Sequence, residues 1–325
     1  MREWGLAFNR YFEKWMFLII PSSLVLGFLF ANALQPMVDA VPYLFAFVTL
    51  TMAIGCGLKE LGGVMKKPGI MGLTFVLAHI VSPLAAYWAG TAIFGADSPY
   101  VVGLVLFTII PLGVSTVLWV GMSGGSVALM LAMVVLDSLI SPVVVPSAIH
   151  LFFDSSADVE TGPLILDLII IIVIPTVIGV ALNEASKGKI QEKVKPYTAP
   201  VSKICFVLVV ALNASAIAPY VSQLKHDMVK LVPIVIALVA LCYALGFAGT
   251  SFMRDEKLQI TVSYATGMRN ISLGIVLAMG YFSPLAAVPV VLSILIQQPL
   301  ATAHHYVLQK INKSKTSASG SAHVG

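Results

Sequence analysis

Apolar residues fill this chain in blocks of membrane length separated by short polar turns, without the one-sided 3.6-residue stripe of a surface helix. Reading each block of about 17–25 residues as one crossing predicts ten transmembrane helices. They cover 15–34, 41–58, 69–94, 100–121, 126–153, 163–183, 200–220, 231–252, 258–281 and 284–308. The first apolar run, Met16 to Leu34, is a full span with no small-residue cleavage site after it, so no cleavable signal is expected. The predicted fold class is an all-α polytopic membrane protein.

Two of the blocks break their own pattern. The ninth carries Thr266-Gly267-Met268-Arg269-Asn270 at its centre, with Gly274 beyond, and the fourth carries Pro111-Leu-Gly113-Val-Ser115-Thr116. Glycine, proline and polar residues weaken a helix there. An arginine at mid-membrane costs roughly 2.5–3.5 kcal/mol on insertion scales, so Arg269 must face protein or a watery cavity. Paired interrupted helices at matching places in two halves point to a transporter site. The halves show other echoes: Pro21 and Pro175 are 154 residues apart, as are Gly113 and Gly267. Five spans followed by five make an odd-numbered repeat, which forces opposite orientations. The expected organisation is a first inverted repeat over 1–157, a second over 158–313, and a disordered tail over 314–325.

Composition agrees with the pattern: 58% of residues are hydrophobic, 10% are charged, and mean hydropathy is +0.96. A soluble domain carries about 25% charged residues. With the N-terminus cytoplasmic, sixteen lysines and arginines fall on the inner side. Only Lys225 and Lys230 fall outside, where the loop with Asp154, Asp158 and Glu160 has no basic residue. This positive-inside bias predicts a multi-pass protein of the bacterial inner membrane with both termini in the cytoplasm. The net charge of +4 is thus a matter of topology and does not imply nucleic acid.

Few side chains inside the spans carry chemistry. Asp137 in the fifth span needs a partner, a proton or a watery cavity, and Arg269 is the intramembrane cation available to pair with it. His79 in the third span is either a proton-handling group or a hydrogen-bonded core residue. Gln297, Gln298 and Asn213 line a cavity or bond neighbouring helices, the second being favoured. Cys56, Cys205 and Cys242 lie in apolar runs and read as buried small hydrophobes. Gly121-Met122-Ser123-Gly124 matches the Gly-x-Ser-Gly of intramembrane serine proteases, with His150, His304 and His305 as candidate bases. The same residues also read as an ordinary turn between spans. No phosphate loop, metalloprotease motif or metal cluster is present, and neither cofactor nor metal is expected.

The Gly113-x-Ser115-Thr116 break, the Gly125-Ser-Val-Ala-Leu129 start of the fifth span and Gly267-Met268-Arg269-Asn270 resemble the bile acid:sodium symporter family. The resemblance covers nearly the whole chain. It implies a panel domain of spans 1, 2, 6 and 7 moving against a core domain of spans 3–5 and 8–10. The crossing fourth and ninth spans would hold ions and flank the substrate.

The departures from the family are informative. Sodium-coupled relatives read Glu-x-Gly-Met-Gln-Asn in the ninth span, and here Ala265 and Arg269 stand for the sodium-ligating glutamate and glutamine. Met130 and Val134 replace hydroxyl ligands of the fifth span, and the third-span glutamine falls at Ala78 or His79. A guanidinium repels cations, so the resemblance implies a sodium-independent transporter of small or amphipathic organic anions, bile-acid-like or pantoate-like. Substrate is expected beside Gly113, Ser115, Thr116, Gly267, Arg269 and Asn270. Arg269 would either neutralise it or tune the site from behind, and would hold the crossover rigid without an ion through Asp137. With no carboxylate–histidine relay visible, uncoupled transport or exchange is expected, and proton coupling through Asp137 or His79 is the other route. Sodium symport through altered ion sites, and hydrolysis by Ser123, are the alternatives. The expected partners are the substrate and the bilayer, and a monomer is compatible with everything in the sequence.

Overall fold

The computed structural model describes residues 2–65, 68–153, 160–220 and 227–321. Asp154, Asp158, Lys225 and two of the predicted inner-side lysines, Lys66 and Lys67, lie outside the described residues. Those described form helices, with one isolated β-bridge. Seven helices are long and apolar enough to cross a membrane, corresponding to the predicted second, third, fifth to eighth and tenth spans. The first, fourth and ninth contain the shorter apolar stretches Leu18–Leu29, Pro99–Ile109 and Ile271–Tyr281. Large apolar side chains such as Trp88, Val143 and Leu151 stand exposed on the outer surface, which suits contact with lipid.

In chain order we label α1 (Arg2–Leu29), α2 (Val41–Ala53), α3 (Leu58–Met65) and α4 (Pro68–Phe94). Then follow α5 (Pro99–Ile109), α6 (Thr116–Met122), α7 (Val127–Phe153), α8 (Thr161–Ala185) and α9 (Lys189–Ile217). The last are α10 (Met228–Gly249), α11 (Glu256–Gly267), α12 (Ile271–Tyr281) and α13 (Pro284–Ser321). Local chemistry sets several of these boundaries. Ser98 accepts the Tyr100 amide ahead of Pro99, and Asp255 accepts the Leu258 amide at the start of α11. Gly188 opens α9 from the left-handed region, at φ +78°.

The helices fall into two packing groups. One sets α1 and α2 along α9, with α8 on α2. The other sets α10 on α11, α5 between α4 and α13, and α12 on α13. The tail expected to lack structure from residue 314 is helical through Ser321, continuing α13. Extending an existing helix needs no new nucleus, so polar residues can follow an apolar span without a break.

Inside α4 the backbone widens to a π-turn over Leu77–Val81. Ser82 N–H reaches back five residues to the Leu77 carbonyl, and the next residue, Pro83, has no N–H to give. The Ala78 carbonyl is thereby left without an intrahelical donor.

Candidate functional site

The predicted fourth and ninth spans both break at mid-length, and the breaks are bound to each other. Between α5 and α6, and between α11 and α12, the chain is extended; Leu112 and Arg269 form an antiparallel bridge. Gly113 N–H donates to the Met268 carbonyl at 3.1 Å, and Asn270 N–H to the Pro111 carbonyl at 2.8 Å. Helix α11 runs through Gly267, so the break is Met268–Asn270, narrower than the polar run suggests. Both glycines are required by close approach. A Cβ on Gly113 would come within 2.8 Å of the Arg269 carbonyl oxygen, and one on Gly267 within 2.3 Å of the Tyr243 ring.

The bridge leaves one amide on each strand facing away from its partner, and a side chain takes each of them. Asp137 of α7 accepts Leu112 N–H at 2.7 Å. Gln297 of α13 accepts Arg269 N–H at 2.8 Å and returns its own amide to the Arg269 carbonyl at 3.3 Å. Buried backbone groups without partners cost about 1–3 kcal/mol each, which explains polar residues at these two depths.

The guanidinium of Arg269 does not hydrogen-bond Asp137, so the pairing that was one of the alternatives open in the sequence is not formed. Its Nη2 donates to the Ala78 carbonyl at 2.7 Å, the group freed by the π-turn. Nε and Nη1 are buried without a partner. Asp137 pairs instead with His79, whose Nε2 lies 2.8 Å from Oδ1. Sequence alone could not choose between the two cations, because the choice depends on which face of α4 meets α7. His79 is buried and hydrogen-bonded, which fits both readings of it.

A cavity of about 430 Å³ lies between the two packing groups. Phe12, Met16, Phe45 and Met52 supply apolar walls, while Gly113, Ser115, Arg269, Asn270, Gln297 and Gln298 contribute from the crossover. Lys195, Lys203 and Gln191 of α9 complete it, and no aspartate or glutamate lines it among the described residues. Lys203 is tied to the Asn9 carbonyl and lies over the Phe12 ring. No residue of α4 lines the cavity, so the guanidinium, turned towards Ala78, lies behind the crossover.

Of the predicted substrate residues, Gly113, Ser115, Arg269 and Asn270 reach the cavity; Thr116 and Gly267 are buried beside it. Ala265, Met130 and Val134 are fully buried in the core with His79 and Asp137. Gln297 and Gln298 both line the cavity and bond neighbours, Gln298 joining Trp119 at 2.9 Å and Ser115 at 3.4 Å. Asn213 is buried in α9, its Nδ2 without a partner. The cavity lysines were legible only as part of the inner-side basic cluster.

Ser123 and His305 do come together, with Oγ and Nδ1 2.7 Å apart. The direction of the surrounding bonds opposes hydrolysis. Gln309 donates to His305 Nε2, Ser123 donates to the Tyr264 hydroxyl, and Tyr264 donates to the Ala301 carbonyl. His305 Nδ1 must then carry the proton and donate to Ser123, so it cannot act as the base a serine nucleophile needs. His304 joins Ser263 in a parallel link, and His150 lies at the other end of α7.

Two interrupted helices bound to one another at mid-span, beside a cavity between two helix groups, define the class as a polytopic membrane transporter. Within that class the chain belongs to the Sodium Bile acid symporter family, which residues 42–224 match. YbaS of Bacillus subtilis is 33% identical over 294 residues, covering 90% of this chain and 96% of YbaS. YocS of the same organism, described as a sodium-dependent transporter, is 24% identical over 82% of this chain and 81% of its own. The probable sodium/metabolite cotransporter BASS1 of Arabidopsis thaliana is 27% identical over 76% of this chain and 61% of BASS1. The family is one of symporters, YocS and BASS1 are described as transporters, and the chain is a multi-pass membrane transporter and not an enzyme.

Proposed function

We propose that this protein carries small or amphipathic organic anions across the bacterial inner membrane by alternating access, and does so without sodium. The observation that carries the reading is the buried guanidinium of Arg269, held on Ala78 behind the crossover. A permanent cation there takes the place of a metal ion in fixing the two breaks. Ala265, Met130 and Val134, which stand where the resemblance to the family puts sodium ligands, offer no side-chain oxygen, whereas sodium requires several. An anionic cargo is supported by a lining with two lysines, Lys195 and Lys203, and no acidic side chain among the described residues, with the Arg269 guanidinium behind it. The first amides of α12 also lack intrahelical acceptors where Asn270, Ile271 and Ser272 meet the cavity.

In this reading α1, α2, α8 and α9 form the panel and the remaining spans form the core. The ten spans make two inverted halves with both termini in the cytoplasm. The crossover is the fixed element about which panel and core rock. Ser115 and Asn270 orient the anion from the cavity wall, and Arg269 supplies positive potential from behind. Sodium symport through altered ion sites is a second reading, favoured by the relatives YocS, a sodium-dependent transporter, and BASS1, a probable sodium/metabolite cotransporter.

Uptake of labelled taurocholate and of labelled pantoate into proteoliposomes, with sodium and the pH gradient varied independently, separates these readings. Uptake of either probe should be unchanged when sodium is replaced by potassium. Uptake of neither probe would overturn the cargo assignment, and uptake that requires sodium would establish the second reading. Arg269→Gln by itself should not create sodium dependence, because Ala265 still lacks a carboxylate; sodium-stimulated uptake in that variant would sink this account of the site.

A further inference from the structure

We infer that His79 and Asp137 form a proton-carrying site, so that the anion crosses together with a proton. The inference rests on the anion-transport reading above and replaces the expectation of uncoupled movement, which followed from the absence of a visible carboxylate–histidine relay. That relay exists, and it is attached to both broken helices. One oxygen of Asp137 faces His79 Nε2 at 2.8 Å while the other accepts the Leu112 amide at 2.7 Å. The residue preceding His79 gives its carbonyl to Arg269. His79 Nδ1 is buried with no partner.

Charge balance identifies the atom that takes the proton. With His79 neutral, the carboxylate of Asp137 and the guanidinium of Arg269 sum to zero. The helices packed on the π-turn add little: α10 brings the buried thiol of Cys242, and α5 carries Tyr100, whose hydroxyl turns to Asp227. Tyr243 of α10 and Tyr264 of α11 donate to the carbonyls of Gln297 and Ala301. Asp137 already accepts two hydrogen bonds, and a guanidinium does not titrate. This leaves His79 Nδ1.

A proton bound there converts the pair to imidazolium and carboxylate and leaves the core with one extra positive charge. In a low-dielectric interior that charge is costly unless an anion sits nearby, and an anion in the cavity supplies the balance. Each ligand then favours the other, as linkage requires. The proton binds at Nδ1 when the anion binds and leaves the same atom after the anion departs. No electron moves.

The test has two arms. In vesicles loaded with a pH-sensitive dye, addition of taurocholate or pantoate should acidify the lumen. An imposed inward proton gradient should concentrate a monoanion about tenfold per pH unit. In His79→Gln, whose amide can still donate to Asp137, probe should enter without acidifying the lumen and stop at equal concentrations. Gradient-driven accumulation surviving in this variant overturns the inference. The second arm needs neither transport nor a folded variant other than the control for assignment: nitrogen-15 NMR of histidine-labelled wild-type protein. One buried histidine, its signal absent in His79→Gln, should go from the Nε2–H tautomer to imidazolium as the sample is acidified. A tautomer that stays fixed over the whole range in which the protein remains folded overturns the proton site even where both probes are carried. Failure to carry either probe, with the titration intact, rejects the cargo reading and leaves the proton site standing.

Discussion

Gln297 is the residue whose role is most tightly defined by its surroundings, because both ends of its amide are occupied by the backbone of one neighbour. It accepts Arg269 N–H and donates to the Arg269 carbonyl, replacing the pairing that a broken helix denies itself. Gln297→Leu keeps the size of the side chain and removes both bonds, leaving a buried donor and acceptor unmatched. A loss of about 2–6 kcal/mol is expected for the two groups, at about 1–3 kcal/mol each. It would be read as a lowered unfolding midpoint in detergent, and an unchanged midpoint would mean that the clamp carries no weight. Gln297→Glu, which keeps an acceptor for the amide, should lose less. Arg269 shows the same logic at a side chain: its charge is placed by one carbonyl, and that carbonyl is free because Pro83 cannot donate.

Two predicted spans are interrupted, between α5 and α6 and between α11 and α12, and the interruption is stabilised by mutual contact. The bridge needs backbone to meet backbone with no side chain between, which is why Gly113 lies against the Arg269 carbonyl. Gly113→Ala and Gly267→Ala should each destabilise the protein by roughly 1–3 kcal/mol, the usual range for overpacking. The first acts by pushing the strands apart and the second by displacing the buried Tyr243 ring. Thermal unfolding of the two variants checks this; a tolerated alanine at position 113 would show that the strands can separate without penalty. The π-turn in α4 belongs to the same set of adjustments, for it presents both the Ala78 carbonyl and the His79 ring to the crossover.

Across the whole molecule the cavity is electropositive and lies where the two helix groups meet. Lys195 is exposed at the beginning of α9 and is the lining cation least committed to protein partners. Lys195→Gln should weaken anion affinity about twofold to fivefold, in line with the 0.2–1 kcal/mol of an exposed pair, and reduce its dependence on salt. Affinity measured by scintillation proximity at two ionic strengths would show this. An unchanged affinity would place the anion elsewhere.

The crossings and their approximate ends are properties of the sequence, because a bilayer demands long apolar runs whatever their neighbours are. The two interruptions are equally local, written in Pro111, Gly113, Gly267 and the charge of Arg269. Partnerships are not local. That His79, and not Arg269, takes Asp137 depends on the rotation of α4 and α7 about their axes, which ten similar apolar blocks do not encode. Helix packing likewise brings Lys195 and Lys203 from a basic run into a cavity wall. A hydrogen bond is decided by a few tenths of an ångström between residues far apart in the chain, and only the assembled helices fix such distances.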